Sequence, residues 1–116
     1  ALITEMGARL ENLVASHLYK ATQFWTDRGF GEYGLYYLRD KDKREVDFLI
    51  TDRRKPHALV ETKLTASDVD STLRYFADRL KPKYAVQVVR EPGKFKSIFT
   101  SKGVMFAPAT HFLSFI

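Results

Sequence analysis

The sequence contains no cysteine. Disulfide bonds, thiolate metal sites and a cysteine nucleophile are therefore excluded, and this composition is typical of a reducing compartment. No apolar run approaches the roughly 20 residues that a membrane-spanning helix needs, and the first residues lack the basic start and apolar core of a signal peptide. We therefore expect a cytoplasmic protein that does not associate with membranes.

Repeats and low-complexity segments are also lacking. The 116 residues, of which 45% are hydrophobic, suffice for one globular domain and are too few for two. We therefore expect a single domain over residues 1–116. Because the chain starts without methionine and ends on the apolar residues 112–116, we expect it to be part of a longer protein.

Hydrophobic periodicity predicts two amphipathic helices. Apolar side chains recur at three- and four-residue spacing over residues 5–27, and again over residues 69–80. Thr65 or Ser67 is the expected N-cap of the second helix, since short hydroxyl side chains bond to the first free backbone N–H groups. A last helical turn is expected over residues 110–115.

Runs of β-branched and aromatic residues predict the strands. The expected strands cover residues 34–39, 44–51, 57–64, 84–89 and 104–106. Short turns separate the first three, which predicts an antiparallel meander, whereas the second helix is long enough to connect parallel neighbours. We therefore expect an α/β fold in the order α-β-β-β-α-β, with helices packed against a mixed sheet.

Two carboxylates and an amine fall in the predicted hairpin of strands two and three. If the hairpin turns around Arg54, paired residue numbers sum to 108, so that Asp47 lies opposite Glu61. Period-two alternation then places Glu45, Asp47, Glu61 and Lys63 on one face. Ionised groups in such a half-buried position are costly unless they are paired or bind a metal.

Opposed carboxylates at this separation can bind one hard cation. Mg²⁺ is typically held by one or two carboxylates together with water and substrate phosphate, so Asp47 and Glu61 predict a Mg²⁺ or Mn²⁺ site. Lys63 beside them can orient a water molecule or stabilise charge on a scissile phosphate. Glu11, on the flank of the first helix, can reach over the sheet to this site. The alternative for Glu11 is a boundary glutamate whose carboxylate stays in water.

These acids and the lysine, in an α-β-β-β-α-β order, resemble the PD-(D/E)xK nuclease superfamily and its restriction-endonuclease-like three-layer core. Three local phrases resemble one group more narrowly: Gly-Ala-Arg-Leu-Glu-Asn-Leu-Val (residues 7–14), Tyr-Tyr-Leu-Arg-Asp (36–40) and Glu-Val-Asp-Phe-Leu-Ile (45–50). That group is the uncharacterised domain at the C-terminal end of prokaryotic AAA-type ATPases. The resemblance covers residues 7–89.

The resemblance implies metal-dependent hydrolysis of phosphodiester bonds in DNA. It implies that Asp47, Glu61 and Glu11 bind the metal, that Thr62 contributes its backbone carbonyl, and that Lys63 is the catalytic lysine. It also implies an ATPase domain in the same longer chain as a partner. The sequence itself has no Gly-x-x-x-x-Gly-Lys-Ser/Thr phosphate-binding loop.

Three consecutive cations, Arg53, Arg54 and Lys55, fall at the expected hairpin turn. Together with the net charge of +5 they are candidates for contact with the DNA backbone, or they form an ordinary solvated turn. Three hypotheses follow: a metal-dependent nuclease domain attached to an ATPase, a catalytically inactive nuclease-like fold that binds nucleic acid or protein, and a structural ion-pair cluster without a ligand. The sequence leaves substrate preference and oligomeric state open.

Overall fold

The structure is a computed structural model that describes residues 2–65, 68–91 and 97–114. Within these residues lie three helices and six strands. They are α1 (Leu2–Asp27), β1 (Tyr33–Arg39), β2 (Glu45–Asp52), β3 (Lys55–Thr65), α2 (Ser71–Leu80), β4 (Tyr84–Glu91), β5 (Phe99–Ser101), β6 (Val104–Pro108) and α3 (Ala109–Ser114).

All six strands form one mixed sheet in the order β1-β2-β3-β4-β6-β5. Strands β1, β2 and β3 are antiparallel neighbours, whereas β4 runs parallel to β3 after the crossover through α2. The predicted meander, the predicted parallel connection and the α/β class are therefore confirmed. Strand β5, which the sequence did not predict, has three residues and pairs only with β6, so it is too short for a periodic pattern to appear.

Helices cover both faces of the sheet. Leu10, Val14 and Leu18 of α1 pack on one face, and Leu73 and Phe76 of α2 pack on the other. Each fully buried aliphatic side chain contributes about 1.5–3 kcal/mol relative to exposure, so the two cores hold the helices at fixed positions over the sheet. Within the described part of the chain, no helix combines the length and apolar character needed to cross a membrane.

The start of α2 differs from the prediction. Thr65 is the last residue of β3 and Ser67 lies outside the described residues. The N-cap is Asp70, whose carboxylate accepts a hydrogen bond from the backbone N–H of Leu73. The prediction of Thr65 was wrong because pairing with β4 extends β3 to this residue, and a residue held in a ladder is not available to cap a helix.

The turn between β2 and β3 holds two arginines in the left-handed region. Asp52 pairs with Lys55, which leaves Arg53 at φ 50° and Arg54 at φ 68° as the two central residues. Two-residue hairpin turns of this hand favour Asn-Gly, since side chains with a bulky Cβ substituent are strained at positive φ. The backbone N–H of Arg53 donates to the carbonyl of Glu32 at 2.9 Å, which holds the strained turn against the chain leading into β1.

Replacing Arg54 by glycine should relieve this strain. We expect Arg54→Gly to raise the free energy of unfolding by about 0.5–1 kcal/mol, because the gain at positive φ exceeds the entropy that glycine adds to the unfolded chain. Arg54→Ala removes the same charge but keeps a Cβ at positive φ, so it should not stabilise. Urea denaturation of the three proteins tests this, and equal stabilisation by alanine and glycine would attribute the effect to charge rather than to backbone strain.

Candidate active site

The β2–β3 ladder ends next to the predicted acids. The numbers of paired residues sum to 108 from Phe48↔Val60 to Ile50↔Ala58, as predicted. Between Ile50 and Thr51 the register shifts by one residue. In the described residues, no backbone pair between these strands lies beyond Phe48 toward Asp47. From this point the two strands are connected through side chains.

An extra residue in β2 also lies here. Between Tyr36 and Leu38 of β1 the β1–β2 register shifts, which marks a β-bulge. As a result Val46 packs in the core beneath α2 while Phe48 packs beneath α1, although alternation predicts the same face for both. The predicted alternation of side chains between the two faces of the sheet is therefore interrupted in β2 at Asp47. Bulges of this kind often change the direction of a side chain near a functional site.

Asp47 is hydrogen-bonded to both Glu61 and Thr62. The backbone N–H of Asp47 donates to Oε1 of Glu61 at 2.9 Å. The backbone N–H and the hydroxyl of Thr62 donate to Oδ2 of Asp47 at 2.8 and 2.7 Å. The carboxyl group of Glu61 therefore lies next to Asp47, and the predicted proximity of the two acids is present in the structure.

This environment makes the carboxyl group of Glu61 a weaker acid than that of an exposed glutamate. Burial raises its pKa from the usual 4.5 to about 8, and the adjacent charge of Asp47 adds to the effect, while the N–H of Asp47 and the ammonium of Lys63 oppose it. With 14% of its side chain exposed, Glu61 keeps a proton near neutral pH. A cation bound next to Glu61 would favour the ionised form of this carboxyl group and oppose the rise in its pKa.

Glu11 lies on α1, and nearby charges of the hairpin act on its carboxyl group. Its pKa is raised by burial, and further by the negative charges of Asp47 and Glu45. Whether Glu11 helps to hold a metal or is a boundary glutamate stays a prediction.

Lys63 lies on the other side of Glu61. Its Nζ is 3.8 Å from Oε2 of Glu61 and 3.1 Å from Oδ1 of Asp70. Asp70 is a site residue that sequence analysis missed, since residues 68–80 indicated only a helix and its cap. Gln87, which accepts a hydrogen bond from the Asp70 N–H at 2.9 Å, was missed as well. The sequence signal for Gln87 was a polar residue inside an otherwise apolar strand. A buried amide requires hydrogen-bond partners, so such a residue indicates a polar contact with another element.

The three cations Arg53, Arg54 and Lys55, called the basic turn below, lie at the opposite end of the hairpin from the acids. Arg53 follows Asp47 by six residues of extended β2, which corresponds to roughly 20 Å at about 3.4 Å per residue. Arg53 forms an ion pair with Asp52 at 3.2 Å, and its side chain is 62% exposed. The structure therefore brings Asp47, Glu61 and Lys63 together and leaves the basic turn apart from them, while Glu11 is affected by the charges of Asp47 and Glu45.

The donor atoms at the acid pair fit a hard cation. Asp47 and Glu61 offer only oxygen, the ligand atom that Mg²⁺ and Mn²⁺ prefer, and two carboxylates completed by water are a usual Mg²⁺ site. Across the described ranges, no three or more His, Cys, Asp or Glu side chains are grouped closely enough to hold a metal by themselves. Thr62 contacts Asp47 through its N–H and hydroxyl, and the role of its carbonyl stays a prediction.

The raised pKa of Glu61 predicts a pH dependence of stability. Because its folded pKa of about 8 exceeds the usual 4.5, the folded state holds this proton more tightly than the unfolded chain. The stabilisation is complete below pH 4.5 and is lost toward pH 8, by at most about 1.4 kcal/mol per pH unit. Glu61→Gln keeps a neutral side chain, so this variant should gain stability relative to wild type as the pH rises from 5 to 8.

Denaturation curves at several pH values measure this difference. Glu32→Gln is the control, since Glu32 is an exposed glutamate immediately before β1, and the stability of this variant should follow that of wild type. A constant difference between Glu61→Gln and wild type across the range would show that Glu61 is ionised throughout.

Comparison with known proteins adds the family. Residues 6–112 match the family model DUF4143, a domain of unknown function. Neither the curated proteins nor the solved structures contain a match to the chain. The matched segment includes Glu11, Asp47, Glu61 and Lys63. The chain therefore belongs to the DUF4143 family.

Proposed function

We propose that this domain is a metal-dependent nuclease of the PD-(D/E)xK superfamily, which hydrolyses phosphodiester bonds in DNA. The observation that carries the proposal is the hydrogen-bonded pair of Asp47 and Glu61 beside the ammonium of Lys63. Two carboxyl groups packed together are unfavourable when both are ionised. A divalent cation removes that repulsion and makes use of both groups.

The residues around the pair match the needs of phosphodiester hydrolysis. Asp47 and Glu61 would hold the cation, and Glu11 would add negative charge from α1. When bound, Mg²⁺ or Mn²⁺ supplies Lewis-acid activation of water and of the scissile phosphate. The N–H and hydroxyl of Thr62 fix the carboxylate of Asp47, which pre-organises the site without the substrate.

Lys63 would act on the substrate rather than on the metal. Its ammonium lies 3.8 Å from Oε2 of Glu61, and the Lys63 side chain is 32% exposed, so a phosphate oxygen or a water molecule would be able to approach it. A cation at this position stabilises the negative charge that develops on the phosphate in the transition state. We assign it electrostatic stabilisation and water positioning.

The wider context is part of the same proposal. The match of residues 6–112 to DUF4143 is compatible with the uncharacterised C-terminal domain of prokaryotic AAA-type ATPases, the group that the local phrases resemble. We propose that an ATPase domain of the same longer chain is the partner of this domain, and that the protein acts in the cytoplasm.

The nuclease proposal predicts loss of cleavage on changing one carboxylate. Wild-type protein should cleave DNA in the presence of Mg²⁺ or Mn²⁺, and Asp47→Asn should lower the rate roughly 100-fold or more. The amide still accepts hydrogen bonds from Thr62, so folding is retained. Asp78→Asn, at an exposed position of α2, is the matched control and should cleave like wild type.

Metal binding is measured separately by calorimetry. Mn²⁺ should bind wild type more tightly at pH 8 than at pH 6, since the cation must displace the proton that Glu61 holds with a pKa of about 8. Asp47→Asn should bind weakly at both. Absence of Mn²⁺ binding by wild type at either pH would refute the metal site and leave the structural ion-pair hypothesis.

A second function is favoured by the basic turn. Arg53 and Arg54 occupy positive-φ positions that Asn-Gly fits with less strain. In the described part of the chain, Arg54 and Lys55 form no ion pair, so the structure shows no gain in stability from them. A local rule broken without a structural benefit points to function, and three exposed cations suit a polyanion such as the DNA backbone.

This second function predicts a change in the salt dependence of DNA binding. Arg53→Gln/Arg54→Gln should weaken binding, and the slope of log K against log salt should fall by about 0.9 for each phosphate that the protein no longer neutralises. Lys20→Gln/Lys41→Gln removes the same charge elsewhere and should leave the slope unchanged. Asp47→Asn should bind like wild type. Equal effects of both double variants would attribute binding to net charge alone.

A further inference from the structure

We infer that Asp70 is a positioning residue of the acid site, which fixes Lys63, and that the buried side chain of Gln87 fixes Asp70 in turn. The catalytic meaning of this assignment rests on the proposed nuclease function. The assignment itself rests on contacts at the start of α2, which lie outside the acid pair.

Hydrogen bonds hold Asp70 through both of its carboxylate oxygens and through its main chain. One carboxylate oxygen, Oδ1, accepts a hydrogen bond from Nζ of Lys63 at 3.1 Å. The other, Oδ2, accepts from the backbone N–H of Leu73 at 3.0 Å and caps α2. Its own backbone N–H donates to Oε1 of Gln87 at 2.9 Å. With both oxygens and the main chain engaged, the carboxylate cannot turn away from Lys63 without losing the helix cap.

Gln87 provides the fixed point beneath this arrangement. It is 0% exposed in the middle of β4, whose neighbouring positions are buried and apolar. Its Nε2 donates to the carbonyl of Asp68 at 3.2 Å, so the amide holds the segment before α2 at two points. Burying an amide costs free energy that an apolar residue would avoid. The two hydrogen bonds that fix Asp68 and Asp70 over the sheet explain why a glutamine, rather than an apolar residue, occupies this position.

The consequence concerns the conformational freedom of Lys63. A lysine side chain carries about 2 kcal/mol of rotamer entropy, and a free ammonium would have to be ordered during each catalytic cycle. The Lys63–Asp70 pair meets that cost on folding, because the pair is anchored to the rigid start of α2. The ammonium therefore stays next to Glu61 whether or not Glu61 is engaged with a cation.

Asp70→Ser separates the positioning role from the capping role. Serine caps a helix about as well as aspartate, but its hydroxyl is too short to reach Lys63. We expect ¹⁵N relaxation of the Lys63 ammonium to show restricted motion in wild type and motion like that of an exposed lysine such as Lys20 in Asp70→Ser. Asp68→Ser is the matched control. It removes the same charge two residues away, from a carboxylate 3.7 Å from Lys102, and should leave Lys63 ordered.

The kinetic expectation is a fall in kcat of roughly 10- to 100-fold for Asp70→Ser, with KM and Mn²⁺ affinity within twofold of wild type. An unchanged order of Lys63 in Asp70→Ser would overturn the inference whatever the activity. A loosened Lys63 with unchanged kcat in an active enzyme would overturn it too. If wild-type protein binds Mn²⁺ but cleaves no DNA, the proposed nuclease function fails, and the relaxation measurement still decides whether Asp70 positions Lys63.

Discussion

The hydrogen-bonded pair of Asp47 and Glu61 is the constraint around which this domain is arranged. Two carboxyl groups meet where the β2–β3 ladder ends, and burial makes full ionisation of both unfavourable. The fold accepts this cost at a place where Thr62 donates twice to Asp47. The proposed cation would lie at this pair.

The two helices serve this pair from opposite faces of the sheet. Helix α1 carries Glu11, whose pKa is raised by burial and by the negative charge of Asp47. Helix α2 starts at the cap Asp70, which bonds Lys63. The carboxylates of Glu11 and Asp70 thus come from helices on different faces of the sheet, and the hydrophobic cores that place the helices also set the geometry of the site.

Two departures from local preference stand out in the structure. The Arg53-Arg54 turn has positive φ at both residues, and Gln87 is a fully buried amide within a strand. Natural sequences accept such costs mainly where function requires them. Here the first presents cations at the end of the sheet remote from the acids, and the second holds Asp70. The two ends of the β2–β3 hairpin therefore differ in charge and in proposed task.

Periodicity and turn residues determined the order of the main elements, the meander, the parallel crossover and the inner register of the hairpin, because these follow from interactions between residues close in sequence or from simple alternation. Asp47, Glu61 and Lys63 could be grouped for the same reason. Tertiary structure alone decided the bulge at Asp47, the cap at Asp70 and the support from Gln87. Each of these depends on a contact between elements distant in the chain. The spacing of residues within one segment does not predict such contacts.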